Sequence, residues 1–341
     1  MNEIILAIES SCDDTSIAIM HQRKVLANVT ASQQIHAKYG GVVPEFASRA
    51  HQQNIVPTID NALKLANVEV SELDAIAFTA GPGLLGSLLV GTSFAKSLSL
   101  ALNKPLIEVN HMQAHILSHL IENEEDRYPD FPFLCLTVSG GHSQIVKVNS
   151  PYNFELIGET LDDAAGEAFD KAGKIMGLEY PAGPLIDKLA QEGNSDAFSF
   201  AKPKVLDYNY SFSGLKTSIL YFLQKQVASN PQFVGENLKD LAASIQKTIV
   251  EILLEKLTKA AKDFKINDIA IAGGVSANSA LRKALEERRE SHNWNVFIPE
   301  MQYCTDNGGM IGIAAYYKFL KGDFADLSTL AQARKPVNTL S

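Results

Sequence analysis

Cysteine is scarce in this chain: Cys12, Cys135 and Cys304 are the only three among 341 residues, and they lie far apart. No Cys-x-x-Cys pair occurs, which excludes a zinc ribbon and a disulfide framework and suits a reducing compartment. Basic charge is short as well, with 30 Lys and Arg against 39 Asp and Glu for a formal net charge of −9. Proteins that coat nucleic acid without sequence preference carry the opposite balance. Any contact with nucleic acid therefore has to come from a local patch or from a partner that supplies one. Lys202, Lys204, Lys216 and the run Arg282, Lys283, Arg288, Arg289 are local candidates, each of them, taken singly, better read as a solvated helix face. The opening MNEIILAIES lacks the basic n-region of a signal peptide. No apolar run is expected to reach the length of a membrane span. A cytoplasmic protein without membrane attachment is expected.

What is present is enough apolar residue, 46%, for two full cores. Ile4–Ile8, Thr15–Met20 and Lys24–Val29 read as three short strands. A helix Glu45–Ala66, a strand Asp74–Thr79, the turn GPGLLGS, a helix to Leu102 and a strand Pro105–Val109 follow. The acidic stretch Glu122–Asp130 reads as a linker or hinge. The pattern then starts again with strands Phe133–Val138, Ser143–Val148 and Phe154–Gly158. Helices Asp162–Met176, Pro184–Gln191, Gly214–Ala228 and Asn237–Phe264 come next. Strand Asp268–Ala272, helix Ala277–Ser291, strand Asn295–Ile298 and a last helix from about Asn307 complete it. Such a recurrence is a duplicated α/β unit with parallel crossovers late in each half. We expect an N-terminal domain over 1–130, completed by the last helix (about 307–341), a second over 131–306, and a cleft between them into which the hairpin turns point.

The chemistry concentrates in Ile107–His119, IEVNHMQAHILSH. His111 and His115 are four apart on a helix opening with Asn110, so their rings share a face and could grip one ion. Two ordinary histidines are the bland alternative. His119, a turn further on, is left out. The zinc-peptidase helix is His-Glu-x-x-His, with the Glu activating metal-bound water. Here that position is Met112, which takes no proton, so such a site suits holding and polarising a substrate better than hydrolysis. Asp306 in YCTDNGGMIG either caps the following helix or completes the two-His site. The turns ESSCDDTS (Glu9–Ser16) and SGGHSQ (Ser139–Gln144) sit at equivalent points of the two repeats, and Gly140 and Gly141 would let a phosphate approach the main chain. In IAIAGGVSANSALR (Ile269–Arg282), Ser276 can cap the helix and Asn278 can present its amide to a nucleotide.

With ESSCDDT, NHMQAH, VSGGHSQ, DDAAGEAFDK, AGGVSAN and CTDNGGMIG in this order, from Ile4 to about Lys321, the chain resembles the TsaD family, tRNA N(6)-adenosine threonylcarbamoyltransferases once described as glycoproteases. The resemblance implies duplicated ribonuclease-H-like domains of the actin/Hsp70/sugar-kinase (ASKHA) fold. It implies transfer of threonylcarbamoyl from threonylcarbamoyl-AMP to the exocyclic amine of the adenosine 3′ of the anticodon, in tRNAs reading A-starting codons. His111, His115 and Asp306 match the family's metal ligands, for iron or zinc. Thr137, Val138, Ser139, Gly140 and Gly141 match its acyl-adenylate loop. Asp170, Gly183, Asp187 and Asn278 match its other substrate contacts. Asp13 is assigned the amine proton. The family often has Asp-Glu where this chain has Asp13-Asp14, which leaves Asp14 without a settled role. A TsaB-like paralogue and a TsaE-like P-loop ATPase are the implied partners. The alternatives weighed are a zinc metallopeptidase, an ATP-dependent small-molecule kinase of the same superfamily, and a non-catalytic scaffold.

Overall fold

The computed structural model describes residues 3–338. In chain order the first stretch builds β1 Ile4–Glu9, β2 Thr15–His21, β3 Lys24–Ala31, α1 Pro44–Ala66, β4 Ala75–Gly81, α2 Leu85–Leu102, β5 Leu106–Asn110 and α3 His111–Leu117. The second builds β6 Phe133–Val138, β7 Ser143–Ser150, β8 Asn153–Glu159, α4 Ala165–Ile175, α5 Ala182–Ala190, α6 Ser213–Ser229, α7 Phe233–Glu236, α8 Leu238–Phe264, β9 Asp268–Ala272, α9 Ser279–Ser291 and β10 Asn295–Phe297. Helices α10 Met301–Cys304 and α11 Gly308–Lys321 close the sequence of elements.

Two five-stranded sheets result, ordered β3-β2-β1-β4-β5 and β8-β7-β6-β9-β10, so the second repeats the strand order of the first. Strand β1 runs antiparallel to β2 and parallel to β4, with Glu9 opposite Ser16. In the second sheet β9 lies parallel to both β6 and β10. Strands β1, β4 and β6 are buried along their whole length. Residues covered on both faces need no polar alternation, which is why these segments read as unbroken apolar runs.

The chain forms two compact units. One takes the residues up to Phe131, Val148–Glu155 and those from Pro299 on; the other takes Pro132–Lys147 and Leu156–Ile298. Each has its own core. In the first, Leu6, Ile8, Ile17, Ile76 and Phe78 pack with Ile55, Ile59 and Ala95 from the helices. In the second, Leu134, Leu136, Ile269 and Ile271 pack with Phe169, Ile186, Ile245 and Leu253.

Three expectations need correction. Helix α2 is 18 residues long and apolar enough, by length and composition, to cross a membrane. Its small residues have a local purpose, since a Cβ at Gly91 would collide with the Ser10 side chain and Ala95 joins the first core. The acidic segment is also more than a linker: Glu122 donates its amide to the Arg23 carbonyl, and the Arg23 guanidinium lies 3.9 Å above the Tyr128 ring. Finally, α4 starts at Ala165 rather than Asp162, because the Asp162 carboxylate accepts from the amides and hydroxyls at the start of α6 instead.

Candidate metal centre

Strand β5 delivers its last residue, Asn110, to the start of α3, where its side-chain oxygen accepts from the amides of Met112 and Gln113. This cap starts the helix one residue ahead of His111 and so places His111 and His115 on a common face. The two rings meet edge to face, with centroids 4.7 Å apart. Asp306 comes from the far end of the chain. Capping of α11 falls to Asn307, whose side chain accepts from Met310 N, and the Asp306 carboxylate faces the imidazoles. Its Oδ1 stands 3.2 Å from His115 Nε2 and 3.5 Å from His111 Nε2. One ligand atom from each of the three lies within 4.8 Å of the others.

This spacing fits a cation. Donors about 2.1 Å from an ion at tetrahedral angles stand about 3.4 Å apart, which is the separation between the carboxylate oxygen and the two Nε2 atoms. Two imidazoles and a carboxylate suit iron(II) and zinc alike. The histidines are buried, while Asp306 keeps 27% of its side chain exposed, so one side of the trio is open. His119 lies in the following 3₁₀ turn, Ser118–Leu120, outside the trio.

Electrostatics around the trio are dominated by burial and by acids. Burial drives both imidazoles toward the neutral form, and His115 is held below its ordinary pKa by it. At His111 the carboxylates of Asp306 and Glu9 outweigh burial and push the ring up to about 9. Glu9 is itself held below the usual carboxylate range, because the His111 ring overcomes its desolvation. In the β1–β2 turn, burial and then the neighbouring acids Asp13, Asp306 and Glu9 push Asp14 up to about 6, against a hydrogen bond from Ser32. The same turn is braced by His51 of α1, whose Nδ1 meets the Thr15 hydroxyl at 2.7 Å and whose Nε2 meets the Cys12 carbonyl at 2.9 Å.

The remaining residues singled out in the sequence belong to the second unit. Thr137 and Val138 have wholly buried side chains in β6, which leaves only their backbone for a ligand. The turn after them is closed by Ser139, whose amide donates to the His142 carbonyl and whose hydroxyl accepts from the amides of Gly141 and His142. Gly140 and Gly141 are exposed, and nothing stands within 4 Å of where a Cβ would project. Gly273 has φ +86°, and a Cβ there would strike the Val138 carbonyl, so β9 can close on β6 only with glycine at this point.

Asp170, Gly183, Asp187 and Asn278 form one connected chain. Asp170 accepts from Ala182 N at 2.8 Å and from the Gly183 amide at the start of α5, and burial raises its pKa. Further along α5, Asp187 accepts from the amide and hydroxyl of Ser279. Next to it Asn278 caps α9 through Leu281 N and donates to Gln246 of α8 at 2.7 Å. The cap of α9 is thus Asn278, not Ser276, which lies in the preceding 3₁₀ turn. Sequence reading missed Gln246 and Glu9. Glu9 closes the apolar strand β1 and Gln246 is one of many polar residues along α8, so neither carries a spacing signal.

The profile of the TsaD family, tRNA N6-adenosine threonylcarbamoyltransferase, matches residues 24–313. The tRNA N6-adenosine threonylcarbamoyltransferase of Riemerella anatipestifer is 62% identical over 335 residues, covering 98% of each chain. Among solved structures, full-length HypF in its phosphate- and nucleotide-bound form aligns with TM-score 0.61 at 16% identity, over 94% of this chain and 47% of that one. The activator of 2-hydroxyisocaproyl-CoA dehydratase from Clostridium difficile aligns with TM-score 0.51 at 12% identity, over 94% and 96% of the two chains. These likenesses are of fold, the ASKHA fold.

Proposed function

The chain belongs to the tRNA N6-adenosine threonylcarbamoyltransferase family, and we propose that it takes the threonylcarbamoyl group from threonylcarbamoyl-AMP. The acceptor is the exocyclic amine of the adenosine 3′ of the anticodon, in tRNAs reading codons that begin with A, and AMP leaves. The observation that carries this reading is the trio His111, His115 and Asp306, an open set of three ligands. Met112, in the position where a zinc peptidase carries its Glu, is an apolar side chain only 2% exposed, which weighs against hydrolysis.

A carbamoyl–phosphate anhydride is already activated, so positioning and charge stabilisation outweigh nucleophilic power. A divalent ion, iron or zinc, held by the trio would orient and polarise the threonylcarbamoyl group. The chain's own groups do the rest. The amide of exposed Gly140 would donate to the phosphate as AMP leaves, joined by the Gly141 amide once it releases the Ser139 hydroxyl. Asp170 and Asp187 accept hydrogen bonds from the first residues of α5 and α9 and, with about four lone-pair sites on each carboxylate, keep capacity for a nucleoside. Asp13 accepts the proton that the amine loses.

The partners in this reading are tRNA, a shorter TsaB-like paralogue and a TsaE-like P-loop ATPase. The contact with the paralogue is assigned to α1, whose outer side exposes Val56 and Leu65 among polar residues. A cytosolic setting agrees with a chain that has only three cysteines, far apart in sequence. The test gives the protein and its partners threonylcarbamoyl-AMP and unmodified tRNA, with His111→Ala in parallel, and reads the nucleosides by mass spectrometry. Threonylcarbamoyladenosine from the wild type and not from the variant is the expected result. No product from the wild type, with the partners bound and the adenylate intact, would overturn the reading.

A further inference from the structure

Glu9 ends β1 with its side chain fully buried, in a unit where almost every other β1 neighbour is aliphatic. A buried carboxylate is tolerated only when its oxygens are filled, and here each partner is a donor. Oε1 accepts from the Ser11 amide. Oε2 accepts from the Thr79 hydroxyl at 2.6 Å and lies 3.2 Å from His111 Nδ1. The Thr79 hydroxyl is much nearer this oxygen than its other acceptor, the Ile8 carbonyl at 3.4 Å. The Ser11 hydroxyl also stands 3.2 Å from His111 Nδ1. The ring is therefore held from behind by Nδ1, with Nε2 facing Asp306.

We propose that Glu9 is the positioning residue of the metal centre, fixing the ring of His111 so that Nε2 is presented to the ion. This rests on the metal reading above and adds to it the group that sets the ligand's orientation. The geometry is the one by which a ligating histidine is steered: its second nitrogen donates to a carboxylate, which fixes the tautomer and raises the basicity of the ligating nitrogen. Buried beneath the ring, Glu9 has no path to a substrate, and the reaction proposed above makes no use of it. A purely structural role in holding the β1–β2 turn would need the Ser11 contact alone. Sharing one oxygen between Thr79 and His111 ties β1, β4 and α3 together at the ligand itself. Only an acceptor-only group meets three donors at once, because glutamine would turn an NH₂ against at least one of them.

The test titrates metal-free full-length protein with Co(II), reading affinity by competition with a chromophoric chelator and ligand geometry from the Co(II) visible spectrum. Far-UV circular dichroism and melting are followed in parallel. Glu9→Gln should bind Co(II) roughly 10–100-fold more weakly with an altered spectrum, and Thr79→Val, which removes one donor and keeps the shape, should show a smaller loss of the same kind. Glu9→Gln binding with wild-type affinity and spectrum would overturn the role of Glu9 and leave the metal reading standing. Should that variant fail to fold, unchanged Co(II) binding by Thr79→Val has the same force. A wild-type protein that takes up no Co(II) would overturn both.

Discussion

At the scale of single residues, Asp306 shows how a local reading and a long-range one are separated. An Asp beside a helix start reads as a cap, and only the structure shows Asn307 taking that task while Asp306 turns to the histidines. The histidine pair was legible because four-residue spacing has one meaning on a helix. Asp14 was not, because its proton affinity follows from burial and from acids distant in sequence. Replacing His111 or Asp306 by Ala should abolish stoichiometric metal, read by elemental analysis. The accompanying loss of transfer should exceed the ~10–100-fold typical of losing a group behind a ligand. Asp13→Asn should lower transfer on the order of 100-fold at unchanged threonylcarbamoyl-AMP affinity. Near-normal turnover in that variant would move proton removal elsewhere, with Asp14 first in line.

Among elements, most boundaries were readable from apolar runs and turn residues, and the exceptions have one cause: a polar side chain engaged in tertiary contact. Asp162 is the clearest. Partial burial raises its pKa, but hydrogen bonds from the Ser211 hydroxyl, the Phe212 amide and the Ser213 hydroxyl and amide outweigh that and hold it below the usual carboxylate range. A folded pKa below the unfolded one, about 3.9, means that this cap contributes fully above about pH 4 and fades as pH falls through the folded value. Asp162→Asn should lower stability by about 1 kcal/mol near neutrality and lose less than the wild type on acidification, read from melting temperatures at both pH values. Parallel losses would show that the carboxylate charge does not hold α6. Asn110 carries a second long-range tie. While its oxygen caps α3, its amide donates to the Pro336 carbonyl at 2.9 Å, and Gln113 donates to the Val337 carbonyl at 2.7 Å. Lys335 adds an ion pair to Glu108 at 2.9 Å. Asn110→Ala should therefore both lower the melting temperature and expose the segment after Ala333 to proteases, seen as early cleavage there.

For the whole molecule, the duplicated plan was visible because the same order of strands and helices occurs twice in the sequence, and the two sheets carry it through strand for strand. The last helix lies in the first unit, where the Gly308 amide donates to the Ser16 hydroxyl; apolar periodicity by itself states that a face is buried but not against which sheet. Charge acts at this scale too. With a net formal charge of −9, the protein alone should bind tRNA weakly, and increasingly so as salt is raised. Tight tRNA binding by the isolated protein at physiological salt would contradict this. All three proposed metal ligands fall in the unit that contains β1 and α11. Adding Zn(II) should therefore slow amide exchange in β1, α3 and α11 before it affects α5, α8 or α9. That placement also sets a clock. His115 and Asp306 are 191 residues apart in the chain, and a ribosome adding about 5–20 residues per second takes roughly 10–40 s to pass from one to the other. Through that interval the nascent protein displays two imidazoles without their carboxylate. Any chain abandoned in it is released without the complete trio, so with the ligands proposed above, finishing translation would itself be the condition for loading an ion.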